Sequence, residues 1–149
     1  MIEDTINQLK EAIQDLVFCD LQSINWTHKP SPDKWSANEI LGHLIDSAQI
    51  NLQRFVRCTY EENFKLTYEQ DEWVKAARYQ QADITNLVDL WEQLNLQIVR
   101  VLEKYPPDRL QAKCDNSKTT INLNTVEWLA ADYVAHMKHH LKQIYGPNH

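Results

Sequence analysis

Two glycines in 149 residues, Gly42 and Gly146, set the strongest limit on how this chain folds. Hairpin turns draw on glycine for backbone angles that other residues avoid, so a many-stranded β fold has too few turns to work with. The chain is 43% apolar and 24% charged, which is enough to build a packed core with a solvated outside. A few long helices joined by polar links meet both conditions. The expected organisation is one domain over residues 1–149.

Apolar spacing marks four such helices. The first is predicted from Glu3 to Ile24, where Ile6, Leu9, Ile13, Leu16, Val17 and Leu21 form a stripe. Pro30 and Pro32 then interrupt a polar link. The second helix starts at WSANEI: Ser36 caps the free amides, Glu39 returns the bond three residues on, and Trp35 and Ile40 form a staple. It runs to about Thr59 with Leu41, Leu44, Ile45, Ala48, Leu52, Phe55 and Val56 on its apolar face.

Residues 61–84 are too many for a bare loop, and EQDEWVKAA predicts a short helix within them. The third long helix spans about Thr85 to Lys104, with Leu87, Leu90, Trp91, Leu94, Ile98, Val101 and Leu102 inward, and stops at Pro106-Pro107. TTINL is a candidate extended stretch. The fourth helix takes Asn124 as cap, Glu127 as return partner, and Leu123 with Trp128 as staple. It ends near Tyr145, where Gly146 allows a left-handed residue and Pro147 blocks continuation. The predicted class is all-α: a four-helix bundle with a short extra helix in the helix 2–helix 3 connection. Spacing leaves the winding order open.

Charge narrows the function. The net charge is -6 and no segment carries a basic stripe, so phosphate backbones find no electrostatic partner. No apolar run approaches the roughly 20 residues that a membrane helix needs. The leading MIEDTINQLKEAIQDL is too polar for a signal peptide. Cys19, Cys58 and Cys114 are odd in number and lack a CxxC pair, which fits small buried hydrophobes in a reducing compartment. The expectation is a cytoplasmic protein.

Three of the six histidines crowd into HMKHHLKQI, residues 136 to 144. On a helix, His136 and His140 share a face about 6 Å apart along the axis, so both imidazoles reach one ion near the surface. His139 points to another side. Histidines at a helix C-terminus also complement its dipole, so the pair alone leaves a solvated helix end open. A metal site needs a further ligand, and His43, in EILGHLIDSAQ, is the candidate. Its face carries Glu39, Ile40, Asp46, Ser47 and Ile50 opposite the apolar stripe, so a solvated polar face is the alternative there. Glu39 is already claimed as a cap partner. His28 and His149 carry no spacing signal.

The order WS..E.LGHL.D on a second helix followed by H...H..Q on a fourth resembles the DinB/YfiT-like family of metalloenzymes, the DinB superfamily. The matching residues are Trp35, Ser36, Glu39, Gly42, His43, Leu44 and Asp46, then His136, His140, Gln143 and Ile144, with QDEWV and the Tyr-Pro end of the third helix between them. The likeness spans essentially the whole chain. It implies a four-helix bundle holding one divalent metal, commonly nickel or zinc, on three histidines: His43, His136 and His140. His139 is excluded because His140 precedes the LKQI that stands where the family usually has RGQI. Leu141-Lys142 is therefore a departure that removes a glycine. The resemblance implies a small-molecule substrate, in some relatives with a low-molecular-weight thiol, no DNA binding, and frequently a homodimer.

Three neutral imidazoles leave open coordination positions, the mark of a catalytic site. Bound water would serve a hydrolase, and a coordinated thiolate would serve a thiol S-transferase. HMKHH lacks the glutamate of HExxH, which disfavours the metalloprotease class. No carboxylate identifies itself as general base. Asp46, three residues from His43, is a candidate to orient that ring or a surface carboxylate paired elsewhere. Tyr133 is a candidate pocket wall or a core-edge tyrosine. A non-catalytic metal-binding module or structural dimer is the alternative function.

Overall fold

A computed structural model of the chain describes residues 1–146. The long helices are α1 (Ile2–Val17), α2 (Ala37–Arg57), α4 (Ile84–Glu103) and α5 (Val126–Tyr145), with a shorter α3 (Gln70–Ala77) between α2 and α4. Three two- to three-residue strands, β1 (Phe64–Lys65), β2 (Lys113–Asp115) and β3 (Leu123–Thr125), form a small sheet. β1 runs parallel to β2 and β3 antiparallel to it, with Cys114 opposite both Phe64 and Asn124. The all-α bundle with an extra helix in its second connection is therefore the observed fold, with the sheet as a minor clasp at one end.

The winding order places α1 against α4 and α5, and α2 against the same two helices. Sequence neighbours α1 and α2 thus lie across the bundle from each other, as do α4 and α5. This arrangement sets α2 beside α5, the contact on which the histidine site depends.

Local chemistry explains the boundaries. Ser36 Oγ accepts from the Glu39 amide and Glu39 Oε1 accepts from the Ser36 amide, so the capping box that opens α2 is fully formed. Gly146 ends α5 at φ +81°, as expected, while Pro147 lies outside the described residues. The first helix is shorter than the apolar stripe predicts. Asp20 turns its side chain onto the Gln22 amide and starts a separate 3-10 turn, a local bond that competes with continued helix. Trp26 then donates its indole N–H to Leu21 O, folding the link back toward the core.

The cap of α5 shifts by one residue. Asn124 belongs to β3, where pairing with Cys114 holds it extended, so Thr125 Oγ1 caps the Trp128 amide instead. The Leu123–Trp128 staple leaves both residues substantially exposed, and the extended stretch within TTINL begins only at Leu123. On α4 the buried set is Leu87, Val88, Trp91, Asn95, Ile98, Val99 and Leu102. That stripe centres about 120° from Leu90, which is exposed although predicted inward.

On α2 the alternative of a solvated polar face does not hold. His43, Asp46, Ser47 and Ile50 are all buried, and so is the opposite stripe up to its far end, where Leu52 is half-buried and Val56, predicted inward, is exposed. α5 covers one side and α3 with the turn behind it covers another, so α2 is the central post of the molecule.

Candidate metal centre

Two helix faces build the site. His136 and His140 stand one turn apart on α5, and His43 reaches them from α2. His136 Nε2 lies 3.4 Å from His43 Nε2 and 3.1 Å from His140 Nε2. The three donor nitrogens all fall within 4.8 Å of one another. Two nitrogens that each sit about 2.1 Å from one ion are roughly 3.0–3.4 Å apart at octahedral or tetrahedral angles. The two spacings from His136 fall in that window. His139 is exposed and outside the cluster, its ring edge-on to His140 at 5.3 Å between centroids. His149 lies outside the described residues.

Tautomers sharpen the geometry. His140 Nδ1 is 2.8 Å from Gln143 Oε1, and a carboxamide oxygen only accepts, so Nδ1 carries the proton and Nε2 turns a bare lone pair inward. A proton on His136 Nε2 satisfies its contact with His140 but not, at once, its contact with His43. A proton on His43 Nε2 has the opposite effect. One of the two close approaches is therefore always unfavourable in the free protein, and a shared cation relieves both. The donor set fits a divalent metal.

Charge is disfavoured on these rings. Burial drives the His43 pKa down to about 3, with His136 and His140 adding to the shift. Burial takes His136 down to about 4, with His140 and His139 contributing, and lowers His140 as well. Imidazoles kept neutral are imidazoles ready to ligate. In the metal-free protein the folded rings decline protons that the unfolded chain accepts below its ordinary histidine pKa of about 6.5. Stability is then present above that value and lost as pH falls toward 4. Asp46 acts oppositely, because burial raises its carboxyl to about 6 and the folded state holds that proton where the unfolded state releases it. Three histidines outweigh one carboxyl. Chelator-treated protein is expected to lose about 5 °C or more of melting temperature between pH 7 and pH 5, as read by circular dichroism; a flat profile would contradict rings held neutral in the folded state.

Surrounding residues divide into those that spacing found and those it missed. Glu39 is occupied by Ser36 and by Lys29, whose Nζ lies 2.7 Å away, so it is no ligand. Asp46 does not contact the His43 ring directly in a hydrogen bond; its Oδ1 accepts from the Tyr79 hydroxyl at 2.6 Å. Tyr133 is a core residue and no pocket wall, since its hydroxyl donates to the fully buried Asn95 at 2.6 Å and its ring meets Phe55 edge-on. The Trp35 ring packs against His43 at 5.0 Å between centroids, tilted by 36°, a role additional to the expected staple. Tyr79 was invisible to spacing because its partner lies 33 residues away.

A cleft of about 770 Å³ opens beside the cluster, between the α1–α2 link and the end of α5. Trp35, Ile40 and Ile144 give it apolar walls, His28 and Lys34 polar ones, and His140 with Gln143 its inner edge. His28 thus faces the cleft although nothing in its spacing signals this. The cysteines stay outside: Cys58 and Cys114 are buried, and burial raises both thiols.

A helical bundle that gathers three histidines from two packed helices beside an open cleft defines the class of protein. The chain belongs to the DinB superfamily, whose sequence profile matches residues 2–144. Among solved structures it is similar to YfiT from Bacillus subtilis, described as a probable metal-dependent hydrolase with an unusual four-helix bundle topology. That match has a TM-score of 0.83 at 20% identity, covering 97% of this chain and 83% of YfiT. A DinB-like protein from the same organism, YjoA, matches with a TM-score of 0.54 at 18% identity, covering 95% of this chain and 80% of that one. At these identities the likeness establishes the shared fold. No curated protein matches the sequence.

Proposed function

We propose that the chain is a metal-dependent enzyme, with one divalent ion, zinc or nickel, held by Nε2 of His43, His136 and His140, and that its reaction is hydrolysis of a small molecule. The observation that carries this is the convergence of three neutral imidazole nitrogens at 3.1 and 3.4 Å beside a cleft. The description of YfiT as a probable metal-dependent hydrolase supports the same reaction class. An ion held by these three imidazoles would supply Lewis acidity and a means of activating water near neutral pH.

The chain's own residues do the remaining work. Gln143 keeps the proton on His140 Nδ1, so Nε2 stays free to ligate. Trp35 covers one face of His43 and limits access of water from that side. The cleft brings substrate toward His140, the one member of the trio along its lining, and its apolar walls hold a compact body while Lys34 and His28 offer polar contacts. All three donors come from one chain, so holding the ion does not call on a second copy.

The test is turnover of a reporter ester or amide by metal-loaded protein, with and without low-molecular-weight thiols. Hydrolysis is expected without thiol and is expected to vanish on chelation. Turnover that requires thiol replaces hydrolase by S-transferase at the same centre. Metal binding without either activity would leave a non-catalytic module.

A further inference from the structure

Among the described residues, three polar side-chain atoms on α2 are buried without any hydrogen-bond partner: Asn38 Oδ1, His43 Nδ1 and Oδ2 of Asp46. The last two belong to residues three apart, whose Cβ atoms are neighbours on a helix at about 5–6 Å. Each atom alone is costly to bury, yet an imidazole N–H and a carboxylate oxygen are natural partners. The same spacing already forms such a bond on α5, where His140 Nδ1 meets Gln143 Oε1 at 2.8 Å.

Asp46 is also fixed in place. The Tyr79 hydroxyl holds Oδ1 at 2.6 Å, leaving Oδ2 free. The Tyr79 ring lies flush on the α2 backbone at Gly42, the residue before His43. Asp46 is 2% exposed and does not line the cleft, so it is not placed to touch substrate.

We propose that Asp46 is a positioning residue for His43: Oδ2 accepts from His43 Nδ1–H, directly or through one buried water, and Tyr79 holds the carboxylate for that purpose. The proton is thereby kept on Nδ1, and Nε2 is left bare toward His136. The proposal deepens the metal-site reading and rests on it for its effect on affinity, while its effect on the tautomer is independent of any metal.

The experiment uses full-length protein labelled with 15N-histidine, the His43 signals being assigned with His43→Gln. In metal-free wild type, His43 is expected as the Nδ1–H tautomer. Asp46→Ala is expected to convert it to Nε2–H or a mixture, and Asp46→Asn, whose amide oxygen still accepts, to restore Nδ1–H. Zinc affinity, measured by chelator competition, is expected to fall about 10- to 100-fold in Asp46→Ala and less in Asp46→Asn. An unchanged tautomer in Asp46→Ala overturns the proposal, as does a zinc affinity of Asp46→Ala equal to that of a zinc-binding wild type. Should Asp46→Ala fail to fold, Tyr79→Phe decides: a shifted or exchange-broadened Nδ1–H signal supports the relay and an unaltered one overturns it. A wild type that binds no zinc sinks the metal reading, and the tautomer measurements still decide the role of Asp46.

Discussion

His136→Ala is expected to lose metal binding, with affinity for zinc or nickel falling by about 100- to 1,000-fold. This ligand is chosen because its Nε2 is the common neighbour, 3.4 Å from His43 Nε2 and 3.1 Å from that of His140. Removing it leaves two donors that lack the third point of the site. The stability signature separates a metal site from a structural cluster. In wild type, an ion at about 1,000 times its dissociation constant adds about 4 kcal/mol to the folded state, and this gain is expected to vanish in the variant. In the metal-free protein, the substitution also deletes a partly exposed ring and the strained nitrogen contacts around it. Its melting temperature is expected to stay within about 3 °C of wild type, since surface-side changes typically cost little. Thermal melts with and without zinc, paired with elemental analysis, measure both quantities. A variant that keeps one ion per chain, or a wild type that gains nothing from zinc, sinks the assignment.

What could be foreseen from sequence divides along local and non-local lines. Ser36 and Glu39 bond within four residues of each other, so their capping box is legible in WSANE without any tertiary knowledge. His136 and His140 share one helix, and their common face follows from the 3.6-residue period. Asn124 shows where such inference stops. It carries a good cap side chain, but pairing with β2 claims its backbone, and its Nδ2 donates to Asn116 Oδ1. Thr125 caps in its stead. The same limit hides the surroundings of His43. Whether the face with Asp46 and Ser47 is wet or dry depends on what packs over it, and Tyr79 and α5 arrive there through contacts 33 and 93 residues long. The family resemblance supplied the ligand trio that periodicity alone left open. The diagonal placement of consecutive helices had no local signal at all.

Gly42→Ala is expected to be among the most destabilising single-methyl substitutions in the chain. α2 is regular helix at this position, where alanine is intrinsically better than glycine by about 1 kcal/mol, so propensity alone favours the change. Space reverses the sign. A Cβ built on Gly42 lies 2.0 Å from Cδ2 and 2.1 Å from Cγ of Tyr79, atoms of the ring itself. Tyr79 is buried, so its ring has to leave the α2 surface as a unit. Such overpacking costs about 1–3 kcal/mol and sometimes more, and here displacement also breaks the 2.6 Å bond from the Tyr79 hydroxyl and leaves Oδ1 of the buried Asp46 carboxylate unpartnered. The melting temperature is expected to drop by about 5–10 °C for a loss of that size. Shrinking the obstacle separates the two effects: Tyr79→Ala in the Gly42→Ala background gives the new methyl room, so the double variant is expected to lose less than the sum of the two single losses. Strict additivity in the melts would mean that the Gly42 methyl and the Tyr79 ring do not compete for the same space, and the close seat of that ring on α2 would have to be abandoned.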